Sequence, residues 1–152
     1  MRRPTLKQAP NGEIYTSESV LQQACVRWFR TVFVIYGMFL FSIPNGGKYG
    51  GKKNSRGVSI QAAIMVGEGL TKGVADLFLA LADSGLHGLF IEMKTPVGYW
   101  DKDQQEFAKR QIAEGYGYAI CKNQNEFEKT ITSYFNSEYQ QKTFEQLKKW
   151  KS

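Results

Sequence analysis

The chain has 152 residues, a length that fits one domain with a sizeable core better than an extended array. Ten Phe, eight Tyr and three Trp supply much of that core, and 20 Lys and Arg against 14 Asp and Glu leave a net charge of +6, which favours an anionic polymer as partner. No apolar run reaches the roughly 18 to 20 residues of a membrane span, no signal peptide is legible, and Cys25 and Cys121 each sit among apolar neighbours; the expectation is a reduced, cytoplasmic protein with no membrane association, no disulfide and no cysteine metal cluster.

Residues 1–16 are polar, carry Pro4 and Pro10, and read as a flexible tail; residues 17–152 read as a single domain. Thr16 or Ser17 then caps a helix over 18–31, where Val20, Leu21, Ala24, Cys25, Trp28, Phe29 and Val32 recur at helical spacing. A strand is expected over 38–43, ending at Pro44. The following run, 45–57, holds five glycines with Lys48, Lys52, Lys53 and Arg56 and no acid. Glycine lets backbone N–H groups approach a phosphate closely, and the four cations supply counter-charge, so this is read as a DNA-contacting loop. It lacks the spacing of a nucleotide-triphosphate loop. A short helix is expected over 58–66, ended by Gly67 and Gly69.

Residues 73–94 carry the chemistry. Residues 77–81 and 89–93 are apolar runs of strand length, separated by Asp83, Ser84, Gly85 and Gly88, so they predict an antiparallel hairpin. A midpoint at Ser84 or Gly85 places Asp76 opposite Glu92 or Lys94. Glu92 and Lys94, two apart on a strand, share one face, while Ile91 and Met93 take the other. Two carboxylates held close repel unless a proton or cation sits between them, and hard oxygens suit a divalent ion such as Mg2+, with Mn2+ as an accepted substitute. A lysine beside them can assist an attacking water and offset charge growing on a phosphoryl group.

After Pro96 stops the strand, Asp101 and Gln104 have the spacing of a capping box, Phe107, Ala108 and Ile112 form a buried stripe, and Gly115 suits a left-handed C-terminal cap. The start of this helix, Gln104 included, can face phosphate. A strand over 116–121 follows, and the strand–helix–strand order implies a parallel crossover. Asn125 is expected to cap the next helix with Glu128 three residues on. A last helix over 137–150 places Tyr139, Phe144, Leu147 and Trp150 among lysines, where it could cover the sheet or meet a second subunit. His87, the single histidine, falls in the hairpin turn and reads as a solvated turn residue.

Gly73-Val74-Ala75-Asp76, followed at hairpin distance by Ile91-Glu92-Met93-Lys94, resembles the PD-(D/E)XK nuclease superfamily in its virus-type replication-repair nuclease (VRR-NUC) branch, with Ala75 where the superfamily name has proline. The resemblance implies an α/β fold, a restriction-endonuclease-like mixed central sheet flanked by helices. It implies that Asp76, Glu92 and the Met93 carbonyl hold the metal, that Lys94 assists the water, and that Glu18 and Gln22 lie near the metal with Gln104 beyond the lysine. The Ile43-Pro44-Asn45-Gly46-Gly47 run is typical of phage members and adds Asn45 to the DNA-contacting set. Stand-alone phage members look like Holliday-junction resolvases, which implies a magnesium-dependent, structure-specific DNA endonuclease working in repair or recombination. Resolving a four-way junction takes paired cuts, so one site per chain calls for a symmetric homodimer, with Tyr139, Phe144 and Trp150 as a candidate contact. A flap-type or less specific nuclease, and a non-catalytic basic DNA-binding module of the same fold, remain the alternatives.

Overall fold

The computed structural model describes residues 5–44 and 59–149. Asn45, Lys48, Lys52, Lys53, Arg56 and Trp150 therefore lie outside the described residues. The chain opens with a small antiparallel ribbon, β1 (Lys7–Gln8) and β2 (Ile14–Tyr15), with Gly12 at φ 85° in its turn and Ala9 buried. The N-terminal segment is thus folded back on itself where the sequence suggested a loose tail. Alternation is too short over two residues for the pattern to register.

Helix α1 (Glu18–Val32) starts at Ser17, whose side chain accepts the Val20 N–H. A short 3-10 turn (Val34–Tyr36) leads to β3 (Leu40–Ser42), narrower than the strand predicted over 38–43. Then come α2 (Ile60–Gly67), β4 (Leu77–Leu79), β5 (Leu89–Met93), α3 (Lys102–Ala113), β6 (Gly117–Cys121), α4 (Gln124–Phe135) and α5 (Phe144–Lys148). The sheet order is β3-β4-β5-β6, antiparallel across the first two pairs and parallel between β5 and β6, so the crossover expected through α3 is present.

Two apolar layers enclose this sheet. Ile91 and Met93 join Leu77 and Leu79, Cys25 and Phe29 of α1, and Phe127, Ile131 and Tyr134 of α4 on one face. On the other, Phe90 meets Ala75, Trp100, Tyr118, Ala108 of α3 and Leu147 of α5. Both cysteines are buried and unpaired, and burial pushes each thiol up to about 12. No helix among the described residues is long and apolar enough to cross a membrane.

Two local expectations are corrected. Helix α4 is capped by Asn123, which accepts the Glu126 N–H, and not by Asn125: the N-cap, N3 spacing occurs twice in this stretch, and the first of the two pairs is used. The long terminal helix is reduced to the short α5. Ser137 takes a left-handed φ of 57° and donates its hydroxyl to Asp83 at 2.7 Å, which ends helical continuity after α4. Gln141 then brackets the backbone of Tyr118, accepting its N–H at 2.6 Å and donating to its carbonyl at 3.1 Å, so a side-chain amide covers the free edge of β6. Tyr139 and Phe144 pack, partly buried, on this chain's own sheet, the first of the two roles expected of this segment. Covering the last strand's edge and its flanking apolar surface outcompetes extending a lysine-rich helix into solvent.

Candidate active site

The hairpin closes on a tight turn, but the turn by itself does not set the register of the ladder. Ser84 (φ 52°) and Gly85 (φ 72°) both lie in the left-handed region, the requirement of a tight type I′ connection, and Asp83 and Leu86 bridge across it. Between the Asp83–Leu86 bridge and the ladder the β4 side carries one residue more than the β5 side, and with that offset the pairs are Leu79↔Leu89, Phe78↔Phe90 and Leu77↔Ile91, so Asp76 is next in line for Glu92, one of the two partners expected from the sequence. The ladder stops just there. Asp76 is instead held at both ends: its carbonyl accepts the Ile43 N–H at 2.9 Å, and its Oδ2 accepts the Met93 N–H at 2.9 Å. In an extended strand a residue's N–H and C=O point the same way, so the Met93 carbonyl lies on the Asp76 side of β5.

Glu92 is about 1% exposed and is bonded on both oxygens. Lys94, also buried, places Nζ 2.9 Å from Oε1, while its own N–H continues the β6 ladder to the Cys121 carbonyl at 2.9 Å. Gln104 donates Nε2 to the same Oε1. That side chain has two tasks, because its Oε1 also accepts the Asp101 N–H and closes the capping box of α3. Capping and contact with the site, which looked like competing readings of Gln104, are satisfied together by the two ends of one amide.

What brings α3 so close is Gly73. At φ 78° it sits against the first turn of α3, where a Cβ would stand 2.3 Å from the Asp103 carbonyl carbon. Only a residue without a Cβ admits this approach. Glu18, in the first turn of α1, accepts the Thr95 N–H at 3.4 Å and lies beside Lys94 around Gly98. Gln22, one turn on from Glu18, lines an open groove of about 1110 Å³ between α1 and β3 together with Arg27, Arg30 and Phe41.

The charges are strongly coupled. Burial first, then the neighbouring Asp76 carboxylate, push the Glu92 carboxyl up to about 8, against the opposing pull of Lys94. Burial acts to lower Lys94, but Glu92, Glu18 and Asp76 together outweigh it and leave the ammonium raised and charged. A carboxyl whose charged form is opposed both by burial and by a second carboxylate is a place short of positive charge. The donors available there, Asp76, Glu92 and the Met93 carbonyl, are all hard oxygens, which fits a magnesium-type ion and not a soft metal. Among the described residues no three His, Cys, Asp or Glu side chains converge as a metal-holding group, and Glu18 acts on both Glu92 and Lys94 through its charge.

Two residues of the site carry no signal in the linear motifs. Tyr118, fully buried, donates its hydroxyl to Glu92 Oε2 at 3.4 Å, and burial followed by the Glu92 charge hold that phenol well above its usual range, keeping it a donor. Trp100 packs against it with ring centroids 5.9 Å apart. Alternation along β6 is the one available hint: with Glu92 paired to Ile120 and Phe90 to Tyr118, the face of β5 that carries Glu92 is the face of β6 that carries Tyr118.

No family model and no curated protein matches the sequence. Among solved structures, one described as a "VRR_NUC domain protein" matches at 21% identity, with a TM-score of 0.66 over 80% of this chain and 90% of that one. The fold is thus of the restriction-endonuclease-like class, a mixed sheet flanked by helices with the acidic pair at the end of its central hairpin. More particularly, the fold is that of a VRR-NUC domain, as the resemblance implied.

Proposed function

We propose that this protein is a magnesium-dependent DNA endonuclease and that its natural substrate is branched DNA. The observation that carries the first half is the convergence of Asp76, Glu92, Lys94 and Gln104 at the end of the central hairpin, where the antiparallel and parallel parts of the sheet meet. Asp76 and Glu92 with the Met93 carbonyl would hold the ion, which when bound supplies Lewis-acid charge to the phosphoryl oxygens. Lys94, kept cationic by three carboxylates, orients the attacking water and offsets negative charge that grows on the phosphate. Gln104 fixes Glu92 from α3, and Glu18 anchors the backbone at Thr95 so that Lys94 points inward. DNA as the polymer is supported by the net charge of +6 and by the cations of the 45–57 run.

Branched DNA rests on the sequence resemblance to stand-alone resolvases and on symmetry. One chain presents one such site, and a four-way junction is resolved only by two, so a homodimer is required. Tyr139 and Phe144 are partly buried within the chain, and Trp150 lies outside the described residues. The test is cleavage of matched junction, flap, linear duplex and plasmid DNA, with magnesium and with chelator, beside a solution mass. Paired cuts in junctions by a dimer are expected. A monomer preferring flaps would sink the resolvase half and leave a nuclease, and binding without cleavage in any metal would leave a DNA-binding module. Neutralising Lys48, Lys52, Lys53 and Arg56 should flatten the salt dependence of DNA binding, by about one unit of slope for each cation that neutralises a phosphate, equally for all sequences.

A further inference from the structure

A buried file of three side chains leads into the site from behind. The Trp100 indole N–H is buried and meets no acceptor in full bonding geometry, yet it stands close enough to the Tyr118 hydroxyl to pull that phenol's pKa down as a donor does, against the larger upward push of burial. Its ring lies on Tyr118, and the Tyr118 hydroxyl donates to Glu92 Oε2. A tyrosine hydroxyl has one proton and two lone pairs, so once its proton is committed to Glu92, it can only accept from any further neighbour, and the indole beside it can only donate. Polarity along the file therefore runs one way, towards the carboxylate. Lys94 and Gln104 both hold Oε1, which leaves Oε2 fixed by Tyr118.

We propose that Tyr118 is a positioning residue for Glu92: backed by Trp100, it fixes the rotation of the carboxylate and so decides which of its lone pairs is presented beside Asp76. This rests on the reading of Asp76 and Glu92 as cation ligands. Outer partners of this kind orient a ligand and tune its affinity, and removing one weakens metal binding by about 10- to 100-fold. At 3.4 Å the bond is long for a hydroxyl donor, so the lower end of that range is expected.

The test uses Tyr118→Phe, which keeps the ring and removes the oxygen. Manganese is titrated calorimetrically into the protein without DNA, unfolding is followed by circular dichroism, and kcat and KM are measured on a cleavable DNA at saturating manganese. Expected are manganese affinity about 10-fold weaker, a lowered kcat and an unchanged KM for DNA. Tyr134→Phe serves as the comparison: its hydroxyl bonds only backbone, donating to the Leu81 carbonyl at 2.6 Å and accepting the Asp83 N–H at 3.2 Å, so it should lower the melting temperature and leave manganese binding alone. Trp100→Phe, which removes the indole donor, should shift manganese affinity in the same direction by a smaller factor. The proposal is overturned if Tyr118→Phe binds manganese as the wild type does, or if its losses merely track melting temperature as those of Tyr134→Phe do. Should Tyr118→Phe prove insoluble, unchanged manganese affinity in Trp100→Phe overturns it and a weakened affinity sustains it. If Asp76→Asn also leaves manganese binding untouched, the ligand reading of the site has failed and not the positioning role alone.

Discussion

Tyr134 and Tyr118 are both buried, one on each face of the same sheet, and each makes hydrogen bonds through its hydroxyl. Tyr134, among Cys25, Phe29 and Ile131, binds the backbone of the segment after β4 and touches no charge-bearing side chain in doing so. Tyr118, on the α3 and α5 side, donates to a carboxylate that is itself held by an ammonium and an amide. The first hydroxyl is satisfied by fixed backbone and is built to be rigid. The second is satisfied by a side chain, so its position depends on the charge of its neighbours, and that dependence is what a cation or a phosphate can exploit.

The sharpest way to separate the two faces is to damage each alone. Glu92→Gln keeps the shape of the site and removes the acid, so cleavage should fall by about 10²- to 10⁴-fold, with thermal stability kept or slightly raised because a buried, proton-retaining carboxyl has been replaced by a neutral isostere. Asp76→Asn and Lys94→Ala should lose cleavage on the same scale while DNA binding survives. Near wild-type rates in either carboxylate variant would place the chemistry elsewhere. Phe29→Ala, on the opposite face, should do the reverse: Phe29 is fully buried and stacks on Phe33 at 5.3 Å, so about 3–5 kcal/mol of stability is lost, read from denaturant unfolding, while kcat per folded molecule is retained at low temperature.

A smaller effect tests how the chemical face is held together. Gly73→Ala forces a Cβ onto the Asp103 backbone from a positive φ, costing about 1–3 kcal/mol. Because α3 is pushed back with Gln104 on it, activity should fall further than the stability loss explains; a variant that unfolds earlier but cuts normally when folded would disconnect Gln104 from Glu92. Least in size is a drift with pH. Glu92 titrates near 8 in the folded chain against an ordinary value of 4.5, so the folded state holds a proton that the unfolded state has released. Its contribution to stability is complete below about 4.5 and is lost as pH rises through about 8. Melting temperatures without added metal should decline across that window in wild type and decline less in Glu92→Gln. Manganese binding near pH 7 should release a proton, seen as a dependence of the calorimetric heat on buffer ionisation enthalpy.

Much of the core and of the carboxylate pair was legible because it is local. The helix over 18–31, the hairpin and the capping box at Asp101 depend on residues a few positions apart, where turn chemistry and side-chain period leave little choice, whereas the hairpin's register also takes an extra residue between β4 and the turn. The same locality explains the misreadings: at Asn123 and Asn125 two equally good local signals competed, and the lysine-rich helix predicted over 137–150 gave way to a segment that seals the edge of β6. Local pattern reached Asp76 and Lys94 beside Glu92, the family resemblance added Glu18 and Gln104, and tertiary structure alone brought in Tyr118. Gln104 is 12 residues away, Tyr118 26, and Glu18 reaches the Thr95 N–H across 77. Periodicity reports which face of an element a residue occupies and never which element will pack against that face; the spacing of Asp76, Glu92 and Lys94 could announce the chemistry, but only the packed sheet and α3 could supply the groups that hold it in place.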